Sequence, residues 1–135
     1  MDYNIIGPLY LSGVTWTLVY DTIYANQDKE DDAKLGLKST ALTFGSDPTR
    51  HKQILHGFAA LTWAQWLLAG YNCPDMNLIV YSIGVTSAYS HLIWQIHTAD
   101  LDNPHNLAHR FRSNTTVGGI VFASAAAGKF VAGVI

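Results

Sequence analysis

The stretch Tyr20-Asp21-Thr22-Ile23-Tyr24-Ala25-Asn26-Gln27-Asp28-Lys29-Glu30-Asp31-Asp32-Ala33-Lys34-Leu35-Gly36-Leu37-Lys38-Ser39-Thr40 decides how this chain is read. It follows an apolar run and contains Asp21, Asp28, Glu30, Asp31 and Asp32, half of the ten acidic residues. On a helix advancing about 100° per residue, Asp21, Asp28 and Asp32 fall within about 40° of one another. Asp28 and Asp32 would be stacked neighbours roughly 6 Å apart along the axis, with Asp21 about 10 Å deeper on the same line. Asp31 lies about 80° round from Asp21, on the flank. Like charges four residues apart destabilise a helix unless a cation sits between them, and carboxylate oxygens suit Mg²⁺ or Ca²⁺. Spacing alone leaves the alternative open, a solvated acidic helix end balanced by lysines. An EF-hand is excluded, because the Gly and Glu it requires at fixed loop positions are absent.

Working outward, four apolar stretches emerge: Ile5 to Ala25, Gln53 to Tyr71, Leu78 to His97 and Thr116 to Ile135. Each approaches the roughly 20 residues that a membrane helix needs. All carry Gly, Ser, Thr or His, as helices packed in a polytopic bundle do. Strict alternation of apolar and polar residues is absent, which disfavours strands. The competing reading is a soluble helical bundle, whose helices would each show a charged stripe. Between Phe58 and Ala99 the one charged residue is Asp75, in a turn beside Pro74, so the membrane reading prevails. The mean hydropathy of +0.12 then averages apolar spans with polar connections.

The charge pattern gives an independent check on topology. Lys29, Lys34, Lys38, Arg50 and Lys52 lie between the first two stretches, and Arg110 and Arg112 between the last two. The turn from Asn72 to Asn77 has no Lys or Arg. Alternating basic and empty connections follow the positive-inside rule and put the aspartates on the cytoplasmic or matrix side. The formal sequon Asn114-Thr115-Thr116 falls on that same side and is discounted. A net charge of -2 carries no nucleic-acid signal. The single cysteine, Cys73, rules out an internal disulfide framework and reads as a buried or interfacial thiol. Trp16, Trp63, Trp66 and Trp94 sit inside the spans and read as packing or cavity wall. His91, Gln95 and His97 read as interhelical hydrogen-bonding groups.

The string Tyr-Asp-Thr-Ile-Tyr-Ala-x-Gln-Asp-Lys-Glu-Asp-Asp-x-Lys-x-Gly-x-Lys-Ser-Thr-Ala, ending at Ala41, resembles the second aspartate-rich motif of the UbiA-type aromatic prenyltransferases. It is most similar to the branch of that family that acts on 4-hydroxybenzoate. Weaker similarity continues through Trp94-Gln95-Ile96 and Phe111-Arg112-Ser113-Asn114. The resemblance implies an all-α polytopic transmembrane bundle with about four spans, the last part of a nine-helix fold. Residues 1–135 would then be the C-terminal part of one prenyltransferase membrane domain. The implied reaction is Mg²⁺-dependent transfer of a polyprenyl group from its diphosphate to an aromatic acid such as 4-hydroxybenzoate. By that resemblance Asp28 and Asp32 are the metal ligands, and Asp21 orients substrate or accepts the acceptor's proton. Lys34 and Lys38 would hold diphosphate oxygens. Tyr24 would line the cavity with its ring face to the developing cation, against the plainer reading of a packed aromatic. Gly36 would end the helix or open the following loop. The implied location is the mitochondrial inner membrane or another intracellular membrane. Two alternatives stand beside it: prenylation of another phenolic acid in secondary metabolism, and a non-catalytic truncated membrane subunit. The family's first motif, Asn-Asp-x-x-Asp-x-x-x-Asp, does not occur in the sequence. The chain is therefore expected to be a fragment that needs the missing N-terminal half as its partner.

Overall fold

The computed structural model describes residues 1–25, 34–36, 47–100 and 103–134, and these are helical with short connections. Among the described residues five helices follow in order: α1 Tyr3–Ala25, α2 Pro48–Asn72, α3 Leu78–Thr98, α4 Pro104–Arg112 and α5 Asn114–Val134. The four long ones coincide with the four apolar stretches, each extended by a few residues. At 1.5 Å per residue each spans roughly 30–38 Å, the thickness of a bilayer's hydrocarbon core or slightly more.

Local chemistry sets the boundaries. Asp47 caps α2, its carboxylate accepting from Thr49 N at 3.0 Å, with Pro48 in the first turn where no N–H is required. Asn77 caps α3 through Val80 N at 3.1 Å. Asn103 caps α4 by accepting from the N–H groups of His105 and Asn106, again ahead of a proline. Pro8 lies inside α1 and lacks the N–H that would pair with the carbonyl of Asn4. The side-chain amide of Asn72 donates to that carbonyl at 2.8 Å, tying the start of α1 to the end of α2.

The long helices run antiparallel. The most extensive packing is between α1 and α2, followed by α3 with α5 and then α2 with α3. Between α1 and α2 the hydroxyls of Thr15 and Thr62 meet at 2.7 Å. Between α2 and α3, Trp63 stacks on Tyr89 at 5.1 Å, and the buried Tyr81 hydroxyl donates to Trp66 O at 2.8 Å. Between α3 and α5, a Cβ built on Gly84 would overlap the side chain of Ser124 and stand 3.2 Å from its Cα. A Cβ on Gly128 would stand 2.5 Å from Met76 Sδ and 3.3 Å from Tyr81 Cβ. Ser124 and Gly128 are four apart on α5, and Gly84 and Ala88 four apart on α3. That small-residue spacing lets the two helices approach closely.

The core is mostly apolar, with Val19, Ile23, Leu55, Val85, Leu92 and Ile96 fully buried, but polar side chains share it while large apolar ones face outward. Ser12, Thr22, His51, Thr62, Gln95 and Ser124 are buried, while Tyr10, Ile79, Ile83, Phe122 and Phe130 are each more than 60% exposed. That distribution suits a bundle whose surroundings are lipid or more protein rather than water. Among the described residues one helical stretch, Pro104–Val134, is both long and apolar enough by mean hydropathy to cross a membrane. The other long helices carry Tyr, Trp, Thr, Ser and Asn, which lower their mean hydropathy. The connection from Thr98 to Ser113, read from sequence as a basic loop, contains α4. Its basic residues His109, Arg110 and Arg112 fill the last turn, where cations favour the helix dipole.

Candidate functional site

Asp21 and Tyr24 lie near the C-terminal end of α1, both exposed. Asp21 makes no hydrogen bond or ion pair among the described residues. Asp28, Asp32 and Lys38 lie outside the described residues. Lys34 is exposed and helical, two residues before Gly36, whose φ of 71° is left-handed. That backbone favours glycine and suits a helix end at this point. Among the described residues no three His, Cys, Asp or Glu side chains gather as a metal site.

The exposed face of α1 leads up to Asp21. Leu9, Gly13, Thr17 and Asp21 form one row at four-residue steps, and Tyr10, Val14 and Leu18 form the adjoining row. Between them runs a groove of about 460 Å³, lined by Leu9, Tyr10, Gly13, Val14, Thr17 and Leu18. Its lining is largely aliphatic, and Thr17 sits one turn below the carboxylate.

A second face of α1 is closed by aromatic rings. Trp66 meets Trp16 edge-on at 6.1 Å, Trp16 meets Tyr20 at 5.8 Å, and Tyr20 meets Phe111 of α4 at 5.7 Å. Tyr24 lies 4.6 Å from Phe111 in a tilted pair. The plainer reading of Tyr24 thus has a structural counterpart, although its ring remains 40% exposed. A cleft of about 320 Å³ opens beside this row, lined by Trp16, Tyr20, Phe111, Arg112, Asn114 and Thr115. Arg112 is exposed there and pairs with nothing among the described residues.

Asn114 is the hub that holds this face together. Its Oδ1 accepts from Trp16 Nε1 at 2.9 Å and from Gln95 Nε2 at 3.4 Å. Its Nδ2 donates to Phe111 O at 2.9 Å. One side chain therefore ties α1, α3 and the α4–α5 joint. These partners fix which end of each amide is oxygen. Gln95 Nε2 also meets His91 Nδ1 at 3.2 Å, so that ring nitrogen accepts. Gln95 Oε1 is left buried without a partner. Nearby, Arg110 donates to Thr98 Oγ1 at 2.7 Å and lies 4.3 Å above the Trp94 ring. The expectation that the tryptophans pack inside the bundle holds for Trp16, Trp63 and Trp66, while Trp94 carries a guanidinium on a half-open face. The sequence reading gave Phe111 and Asn114 no role, though the Phe-Arg-Ser-Asn string was the available signal.

The UbiA prenyltransferase family profile matches residues 4–117, and the chain belongs to that family. It is 45% identical to the mitochondrial 4-hydroxybenzoate polyprenyltransferase of Arabidopsis thaliana over 93% of its length, covering 30% of that protein. The human protein of the same name is 45% identical over 90% of the chain, with 31% of its own length covered. The Dictyostelium discoideum protein is 44% identical over 87%, with 24% covered. The chain thus spans about a quarter to a third of the length of these relatives. No solved structure matches it.

Proposed function

We propose that this chain supplies the diphosphate-binding half of a membrane prenyltransferase that moves a polyprenyl group onto an aromatic acid, 4-hydroxybenzoate being the acceptor its relatives' names give. The observation that carries the proposal is the exposed face of α1. An apolar groove there rises toward the exposed carboxylate of Asp21, which pairs with nothing among the described residues, and the sequence continues to Asp28 and Asp32. A molecule with a long hydrocarbon tail and a highly charged head matches that gradient.

The donor set fits a hard divalent cation, because carboxylate oxygens are its preferred ligands and no cation of the described residues occupies Asp21. Asp28 and Asp32 would hold Mg²⁺, which when bound neutralises the diphosphate as it leaves. Lys34 and Lys38 add point charges for the same oxygens. Asp21, an ionisable group at the end of an apolar span, orients the acceptor or takes its ring proton after carbon–carbon bond formation. Tyr24, held against Phe111, presents a ring face toward the carbocation.

The four long helices are taken as four spans, with the basic connections facing the matrix of the mitochondrial inner membrane. The rest of the site comes from the remainder of the family fold, which includes the first aspartate motif. The test is product formation from radiolabelled 4-hydroxybenzoate, a polyprenyl diphosphate and Mg²⁺, in membranes lacking their own enzyme. The 135-residue chain alone should yield no product, and the same sequence joined to a first-motif half should yield it. Robust product from the chain alone would overturn the half-site reading. No product from the joined protein would overturn the transferase itself.

A further inference from the structure

α1 and α5 are joined at one end of the bundle and parted at the other. Toward the Asp21 end, Trp16 of α1 donates to Asn114 at 2.9 Å, and a Cβ on Gly118 of α5 would stand 3.4 Å from the same indole. Toward the other end a cleft of about 230 Å³ separates them, lined by Ile5 and Leu9 of α1, Gly70 of α2, and Val121, Ala125 and Lys129 of α5. Its floor is tightly packed, because a Cβ on Gly70 would overlap the ring of Tyr81 and one on Gly128 would overlap Met76. An apolar slot of this kind does not hold water, which needs two to four polar partners. At about 30 Å³ for a water-sized group it takes roughly eight such groups. A helix about 10 Å across does not fit. Part of one hydrocarbon chain does.

Lys129 is exposed at the rim of the cleft. Its ammonium donates to Pro74 O, and no carboxylate pairs with it among the described residues. This is the end of the bundle where the Asn72 to Asn77 turn has no Lys or Arg, so a cation here departs from the charge pattern. An ionisable group in an apolar span calls for a partner. We propose that the α1–α5 cleft is a lipid site, holding one acyl chain of an anionic phospholipid of the surrounding bilayer with its phosphate on Lys129. From there the chain passes Ala125 to Val121, about 12 Å along α5, pointing from the membrane surface inward. The site is independent of the transferase reading: Leu9 lies about 18 Å along α1 from Asp21, and the charge at its mouth has the opposite sign.

The 135-residue chain, purified in a non-ionic detergent, is offered phosphatidylglycerol and phosphatidylcholine of equal chain length, and bound lipid is read by native mass spectrometry. The wild type should retain phosphatidylglycerol at least fivefold over phosphatidylcholine. Ala125→Phe, which fills the slot, should lower retention of both tenfold or more. Lys129→Gln should abolish the preference and Lys129→Arg should keep it, while Arg50→Gln, at the opposite end of α2, should match the wild type. A phosphatidylglycerol with a photoreactive acyl chain should label residues 5–16 or 117–129. Equal retention of the two lipids by the wild type, or a preference that survives Lys129→Gln, would overturn the lipid site, as would labelling confined to other residues. Lys129→Gln adds no bulk, so it decides the matter when Ala125→Phe disturbs folding. Displacement of the lipid by farnesyl diphosphate without Mg²⁺ would make a prenyl chain the occupant and overturn the assignment to phospholipid.

Discussion

Gly84 and Gly128 stand at the α3–α5 seam because there is no room for a side chain, whereas Gly13, on the outer face of α1, looks onto open space. The same residue type marks two different demands. At the seam, the missing side chains let the two helix backbones approach closely. On α1, the missing side chain lies in the largely aliphatic groove lined by Leu9, Tyr10, Val14, Thr17 and Leu18. Substitutions in the first region should therefore act on folding, and those along the second on ligand handling.

The largest separation is expected at the aspartates. In the joined protein, Asp28→Ala or Asp32→Ala should lower prenyl transfer a hundredfold or more. A metal ligand stabilises transition-state charge by several kcal/mol, and each 1.36 kcal/mol is tenfold in rate. Activity within threefold of wild type would break the assignment. Next comes the seam. Gly84→Leu forces a side chain into Ser124 and should cost about 1–3 kcal/mol, as overpacking does. Reversible unfolding in mixed micelles reads this, and an unchanged midpoint would contradict the close approach. Tyr81→Phe removes the buried bond to Trp66 O and should cost about 1 kcal/mol in the same assay. The smallest effect has the opposite sign: Gly13→Ala should stabilise the fold by roughly 0.5–1 kcal/mol through helix propensity alone. Destabilisation there would mean that the face of α1 is packed, and the contrast between the two regions would collapse.

Much of the fold was legible because its signals are local. Apolar length located the four long helices within a few residues, while the Asp47-Pro48 and Asn103-Pro104 caps went unread. The helix α4 was not read, because nine residues rich in His and Arg show too short an apolar pattern to compete with a loop. The aspartate spacing pointed to chemistry without deciding it, and the motif resemblance decided the family. Asn114 was legible only as part of a short string. Its role depends on Trp16, 98 residues away in sequence, and Gln95 on a third helix. Non-local hydrogen bonds of this kind have no periodic signature. The same holds for Gly13 and Gly84, which are indistinguishable as letters and differ only in what faces them.

The most direct measurement is Mg²⁺-dependent retention of radiolabelled farnesyl diphosphate by the chain in nanodiscs, with and without the paired Asp28→Ala and Asp32→Ala substitutions. The wild type should hold the diphosphate when Mg²⁺ is present and release it when the metal is chelated, and the paired variant should not respond to Mg²⁺ at all. Equal, metal-responsive retention by both proteins would contradict the claim that these carboxylates hold the diphosphate through a metal.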